Sequence, residues 1–101
     1  MDILEIVIKN PIGFDEIDQF GLELTTAQHH DFLIIDTGAH DFEAVKVIKY
    51  FRDQFEIWEE RLSKFKKIAF IRPPQYINES TDPKVYDFFD SIKEAEKWFK
   101  E

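Results

Sequence analysis

Three features of the sequence predict an α/β fold. Short apolar runs are bounded by turn residues, apolar residues recur at helical spacing between those runs, and the two patterns alternate along the chain. The expected architecture is a small three-layer or two-layer sandwich, with about four mostly parallel strands and helices covering the sheet. A length of 101 residues fits a single domain spanning 1–101.

Each element has its own justification. Ile3 to Ile8 is β-branched and mostly apolar, so it reads as a strand. Asn10-Pro11 ends it, because proline cannot continue a ladder, and Gly13 completes the turn. A helix follows, with Asp15 as its expected N-cap and Asp18 in its first turn. Ile17, Phe20, Leu24 and Ala27 mark its apolar face. Gly21 weakens that helix, and Thr25 and Thr26 leave an extended reading of Leu22 to Thr26 open. Phe32-Leu33-Ile34-Ile35 is an unbroken apolar run, the pattern of a strand buried on both faces. Asp41 is the expected N-cap of a long helix whose core face is Phe42, Val45, Ile48, Phe51, Phe55, Trp58 and Leu62. Lys67 to Ile71 is a third strand, stopped by Pro73-Pro74. The polar stretch Gln75 to Lys84 has room for one helical turn or for a mobile loop. Val85 to Phe89 is a fourth strand, and Pro83 and Asp87 suit a sheet edge. Ser91 and Glu94 form a capping box for a last helix that turns Ile92, Ala95, Trp98 and Phe99 to the core.

Composition removes several functional classes. A net charge of −8 opposes binding to nucleic acid or to an anionic membrane surface. The absence of cysteine excludes disulfides, thiolate metal sites and thiol catalysis. No apolar run approaches the ~20 residues of a membrane span. Met1 to Glu5 lacks the basic and apolar regions of a signal peptide, so the expected location is cytoplasmic. With three glycines and no phosphate-loop, dinucleotide or nucleophile-elbow motif, the sequence predicts neither a cofactor nor a catalytic residue.

Candidate site residues come from the carboxyl ends of the strands, where open parallel sheets bind ligands. Those ends supply Asn10, Asp36, Thr37, Arg72 and Asp90. His40 and Asp41 add the start of the expected long helix, whose N–H groups favour an anion. Thr37, His40 and Arg72 together could grip a phosphate or carboxylate. In the bland alternative, Asp36 and Asp41 serve only as turn and cap residues and Arg72 pairs with a nearby carboxylate. His29, His30 and His40 with Asp36 raise the thought of a metal-assisted hydrolase, but adjacent histidines diverge on a helix and no nucleophile accompanies them, so no metal site is assigned. Val47, Tyr50 and Ile57 lie off the expected core face of the long helix, which points to a subunit contact such as a homodimer.

The last third of the chain resembles a known family. Phe89-Asp90, Glu94-Ala95 and Trp98-Phe99 follow the order and spacing with which SpoIIAA-like (STAS) domains close, and Phe32 to Asp36 with the helix after it fits that family's central strand and second helix. The resemblance implies a small interaction or ligand-binding domain without shared catalytic residues. Regulatory members carry a phosphorylated serine after an aspartate at the start of the second helix. Here Asp41 is followed by Phe42, so that hydroxyl is missing.

The leading expectation is a non-enzymatic cytosolic interaction module that binds a protein partner or itself through Thr37, His40, Asp41 and Phe42. The alternative is a binder of a small amphipathic or anionic ligand, held between sheet and helices with Arg72 as charge partner.

Overall fold

The computed structural model describes residues 2–77 and 86–101. Four strands, β1 (Ile3–Val7), β2 (Phe32–Asp36), β3 (Lys67–Ile71) and β4 (Tyr86–Phe89), form one sheet. The order is β1-β2-β3-β4 and every pairing is parallel. The helices are α1 (Phe14–Thr26), α2 (Val45–Ile57), α3 (Glu59–Leu62) and α4 (Ile92–Phe99), with a single 3₁₀ turn at Pro74–Tyr76. The expected α/β sandwich is therefore present, in three layers. β4 lies at the edge that Asp87 suited, and the remainder of the 75–84 loop falls outside the described residues.

Strand alternation splits the apolar residues between two cores. One sheet face carries Ile6, Leu33, Ile35, Ile68 and Phe70 under α1, α2 and α3. The other carries Ile34, Ala69 and Ile71 under Ala95 and Phe99 of α4. β2 sits between two strands and below helices on both sides, which is why its sequence is a continuous apolar run. The eight residues of α4 pack on β2, β3 and β4 and leave Glu5 and Val7 of β1 exposed.

Several helix boundaries differ from expectation, each for a physical reason. Helix α1 starts two residues earlier, with Gly13 as N-cap in place of Asp15, and the Glu16 carboxylate accepts the Gly13 N–H at 2.9 Å. It runs through Thr26, whose hydroxyl bonds back to Leu22, as the helical reading preferred for a parallel connection requires. Gly21 belongs in this helix because a Cβ there would lie 2.5 Å from the Trp58 indole. The last carbonyls of α1 and the turn after it are met by Arg61 of α3, which donates to Leu24, Ala27 and Gln28 at 3.0–3.2 Å.

The long helix begins at Val45, not at Asp41, and its N-cap is Ala44. Residues 41–43 are engaged elsewhere. Phe42 forms a parallel bridge with Ile12, closed by Ile12 N–H to Asp41 at 2.7 Å and Glu43 N–H to Ile12 at 3.0 Å. The chain bends at Trp58, dividing α2 from α3. The core face is also corrected. Each step of three residues falls about 60° behind a helical turn, so a run of such steps drifts around the helix. Accordingly Val47 and Phe51 are buried, whereas Val45 is 82% exposed and Ile48 37% exposed. The off-face stripe expected to mark a subunit contact dissolves in the same way. Val47 is core, Tyr50 packs edge-on against Phe14 and hydrogen-bonds Asp18, and Ile57 alone is exposed.

At α4, Ser91 caps as expected, its hydroxyl accepting Glu94 N–H at 3.3 Å. The returning half of the box is replaced: the Glu94 carboxyl pairs with Asp90, which raises its pKa. Lys67 donates to the Trp98 carbonyl at 2.8 Å, near the end of this helix.

Candidate functional site

The carboxyl end of the sheet is occupied by its own loops. The Asn10 amide donates to Thr37 at 2.8 Å and to Ile8 at 3.3 Å, while its oxygen accepts the Asp41 N–H at 2.6 Å. Asp36 accepts the Gly38 N–H at 2.9 Å. Asp90 lies against Glu94. Asp41 is exposed and is no helix cap, so the anion site expected at that helix N-terminus does not form.

One cavity borders the end of β1 and the start of α1 and is lined by Asp15, Glu16 and Glu23 among others; a more apolar one lies on the α2-covered face of the sheet, at the β3–β4 side. The volume of this second cavity is about 390 Å³. The sheet supplies Phe70, Tyr86 and Phe88; α2 supplies Ile48, Phe51, Arg52 and Phe55; His40, Phe42 and Arg72 close the end nearest the strand termini. Alternation puts Phe70 and Phe88 side by side in register, so their rings form a floor 5.2 Å apart. The Arg72 guanidinium stands 4.1 Å from the Phe88 centroid and 5.2 Å from that of Phe70.

Charge at this cavity opposes that of the chain. The sequence has three arginines, and Arg52 and Arg72 both line it. Among the described residues, no aspartate or glutamate does. A cavity of this size, with aromatic walls and two arginines in its lining, suits a small molecule with a flat apolar body and a negative group.

His40 is held by the backbone and by Thr37. Gly38 (φ +59°) and His40 (φ +56°) are both left-handed, and the His40 N–H closes the turn onto Thr37 at 2.9 Å. The imidazole meets Phe42 edge-on at 4.9 Å and Tyr76 at 4.8 Å. Its pKa is lowered to about 4, first by burial and then by the Arg72 charge, so the ring is neutral at pH 7. Thr37 is fully buried, and its hydroxyl donates to Ile71 at 2.9 Å and contacts His40 Nδ1 at 3.2 Å. Contrary to its expected place on a contact surface, the Thr37 side chain is buried; it sits behind His40 and supports it.

Of the residues singled out from sequence, His40, Phe42 and Arg72 come together at the cavity, with Thr37 behind them and Asp41 outside. Arg52, Phe70 and Phe88 were not foreseen as site residues, and helical spacing reads Phe55 as core in preference to a partner-binding stripe with Phe51, Trp58 and Phe65. The period-two placement of Phe70 and Phe88 in adjacent strands was the available signal. His29 faces Asp31 at 3.7 Å and His30 bonds Asp2 at 2.7 Å, so neither is brought to His40. Among the described residues no group of three or more acidic or histidine side chains is placed to hold a metal ion, and no helix is long and apolar enough to cross a membrane. No family model, curated protein or solved structure matches this chain.

Proposed function

We propose that this domain binds a small aromatic or amphipathic anion in the cavity between α2 and the β3–β4 side of the sheet, without converting it. The observation that carries the reading is the pairing of Arg52 and Arg72 with aromatic walls, on a chain of net charge −8. The negative group would meet the arginines and the flat body would lie over Phe70 and Phe88. This reading also agrees with the resemblance to SpoIIAA-like domains in their ligand-binding role, and with a cytoplasmic location.

Isothermal titration with 1-naphthaleneacetate and its neutral counterpart 1-naphthaleneethanol tests it. A charge-assisted contact predicts that the acid binds roughly tenfold to a hundredfold tighter. Arg72→Met should remove most of that preference. Equal binding of acid and alcohol, or binding of neither, would defeat the proposal.

A second reading is a contact with a partner protein at the same mouth. The exposed Val45, Ile48 and Tyr76 favour it, because they extend apolar surface outward from the cavity. A Val45→Asp variant separates the two: it would abolish a protein contact and leave small-acid affinity in place.

A further inference from the structure

The hydrogen bonds behind His40 decide which of its nitrogens carries the proton. Thr37 Oγ1 has one hydrogen, and it lies 2.9 Å from the Ile71 carbonyl, which can only accept. The hydroxyl is therefore an acceptor toward His40 Nδ1 at 3.2 Å. A neutral imidazole that donates from Nδ1 leaves Nε2 as a bare acceptor. Thr37 is buried on the Nδ1 side of the ring, and His40 lines the cavity. No hydrogen bond reaches Nε2 from the described residues. Burial and the nearby Arg72 charge both keep the ring unprotonated, so this acceptor persists well below neutral pH.

We infer that His40 Nε2 selects ligands that carry an N–H or O–H donor on the aromatic body in addition to the anionic group. The class is hydroxyaryl and indolic acids, with Arg72 or Arg52 meeting the acid and His40 meeting the donor. This inference rests on the cavity being an anion site, and it adds a requirement that the anion site alone does not impose.

Matched acids test it. Indole-3-acetate and 1-naphthaleneacetate share a shape and differ in the ring N–H; 4-hydroxyphenylacetate and phenylacetate differ in one hydroxyl. At least one donor-bearing acid should bind on the order of fivefold tighter than its partner, the discrimination of one neutral hydrogen bond. His40→Asn keeps a residue tolerant of the left-handed backbone and should erase that preference while both acids still bind. Long-range ¹H–¹⁵N spectra of the unliganded protein should show the Nδ1–H form of His40, and Thr37→Val should weaken that bias. Equal affinities within both pairs, a preference that survives in His40→Asn, or an Nε2–H ring would overturn the inference and leave the anion site standing. If none of the four acids binds, the anion site fails and the inference falls with it.

Discussion

The two faces of the sheet use the same residue types to different ends. Under α4, aromatics close on one another: Phe32 stacks on Phe99 at 4.6 Å, and Trp98 meets Phe89 at 5.4 Å and Phe99 at 5.7 Å. The cation on that face, Lys67, is committed to the Trp98 carbonyl and stands 4.8 Å from the Trp98 ring. Under α1 to α3 the core is equally aromatic, with Phe20, Phe51, Phe55 and Trp58 in edge contacts. Yet between α2 and the β3–β4 side of the sheet, Phe70 and Phe88 line a cavity beside two arginines. Arg61 shows the contrast within a single residue type. It caps the end of α1, whereas Arg52 and Arg72 face the cavity. Among the described residues, the aromatic cluster under α2 thus borders a cavity whose lining includes two arginines.

Truncating a ring on each face should break this contrast most visibly. Phe99→Ala removes a buried ring from the closed face and should cost about 3–5 kcal/mol in chemical denaturation. Phe88→Ala opens a wall already accessible to solvent and should cost about 1–2 kcal/mol, while weakening ligand binding. Equal losses would mean that the cavity wall is as closed as the α4 core. Next in size is Gly21→Ala. Helix propensity alone would favour alanine by about 1 kcal/mol. The clash with Trp58 reverses the sign, and a net loss of about 1–3 kcal/mol is expected. A gain in thermal stability would show that Trp58 does not press on α1. Arg61→Met should cost about 2 kcal/mol by leaving three carbonyls without their donor, and it should leave acid binding unchanged, unlike Arg72→Met. The smallest effect concerns pH. The folded pKa of His40, about 4, lies below its ordinary value of 6.5, so the unfolded chain binds the proton more readily between them. His40 thus contributes to stability above pH 6.5, and that contribution is lost as pH falls toward 4. An NMR titration midpoint for His40 near 6.5 would contradict this.

Much of the fold was legible because strands and caps leave local marks. The unbroken Phe32 to Ile35 run, the alternation of apolar segments and the Ser91 cap each correspond to an observed element. The residues behind the SpoIIAA-like resemblance have a packing role as well: Phe89, Ala95, Trp98 and Phe99 all belong to the core under α4. Their spacing is what a strand and the helix folded back on it require. The start of α2 was not legible, since Asp41 resembles a cap and only the long-range bridge from Ile12 to Phe42 delays the helix. The site was half legible. Chain position marked Arg72 as a strand-end residue and His40 as lying at the start of the helix after β2. Arg52 lay on an exposed helix face, where local sequence cannot say that β4 and its Phe88 stand opposite.

The most direct test of the cavity as an anion site is chemical-shift mapping with 1-naphthaleneacetate on ¹⁵N-labelled protein. Saturable shifts should appear at Phe42, Arg52, Arg72 and Phe88, be absent from Ala95 and Phe99, and largely vanish in Arg72→Met. No saturable shifts, shifts centred on α4, or a response unchanged in Arg72→Met would contradict it.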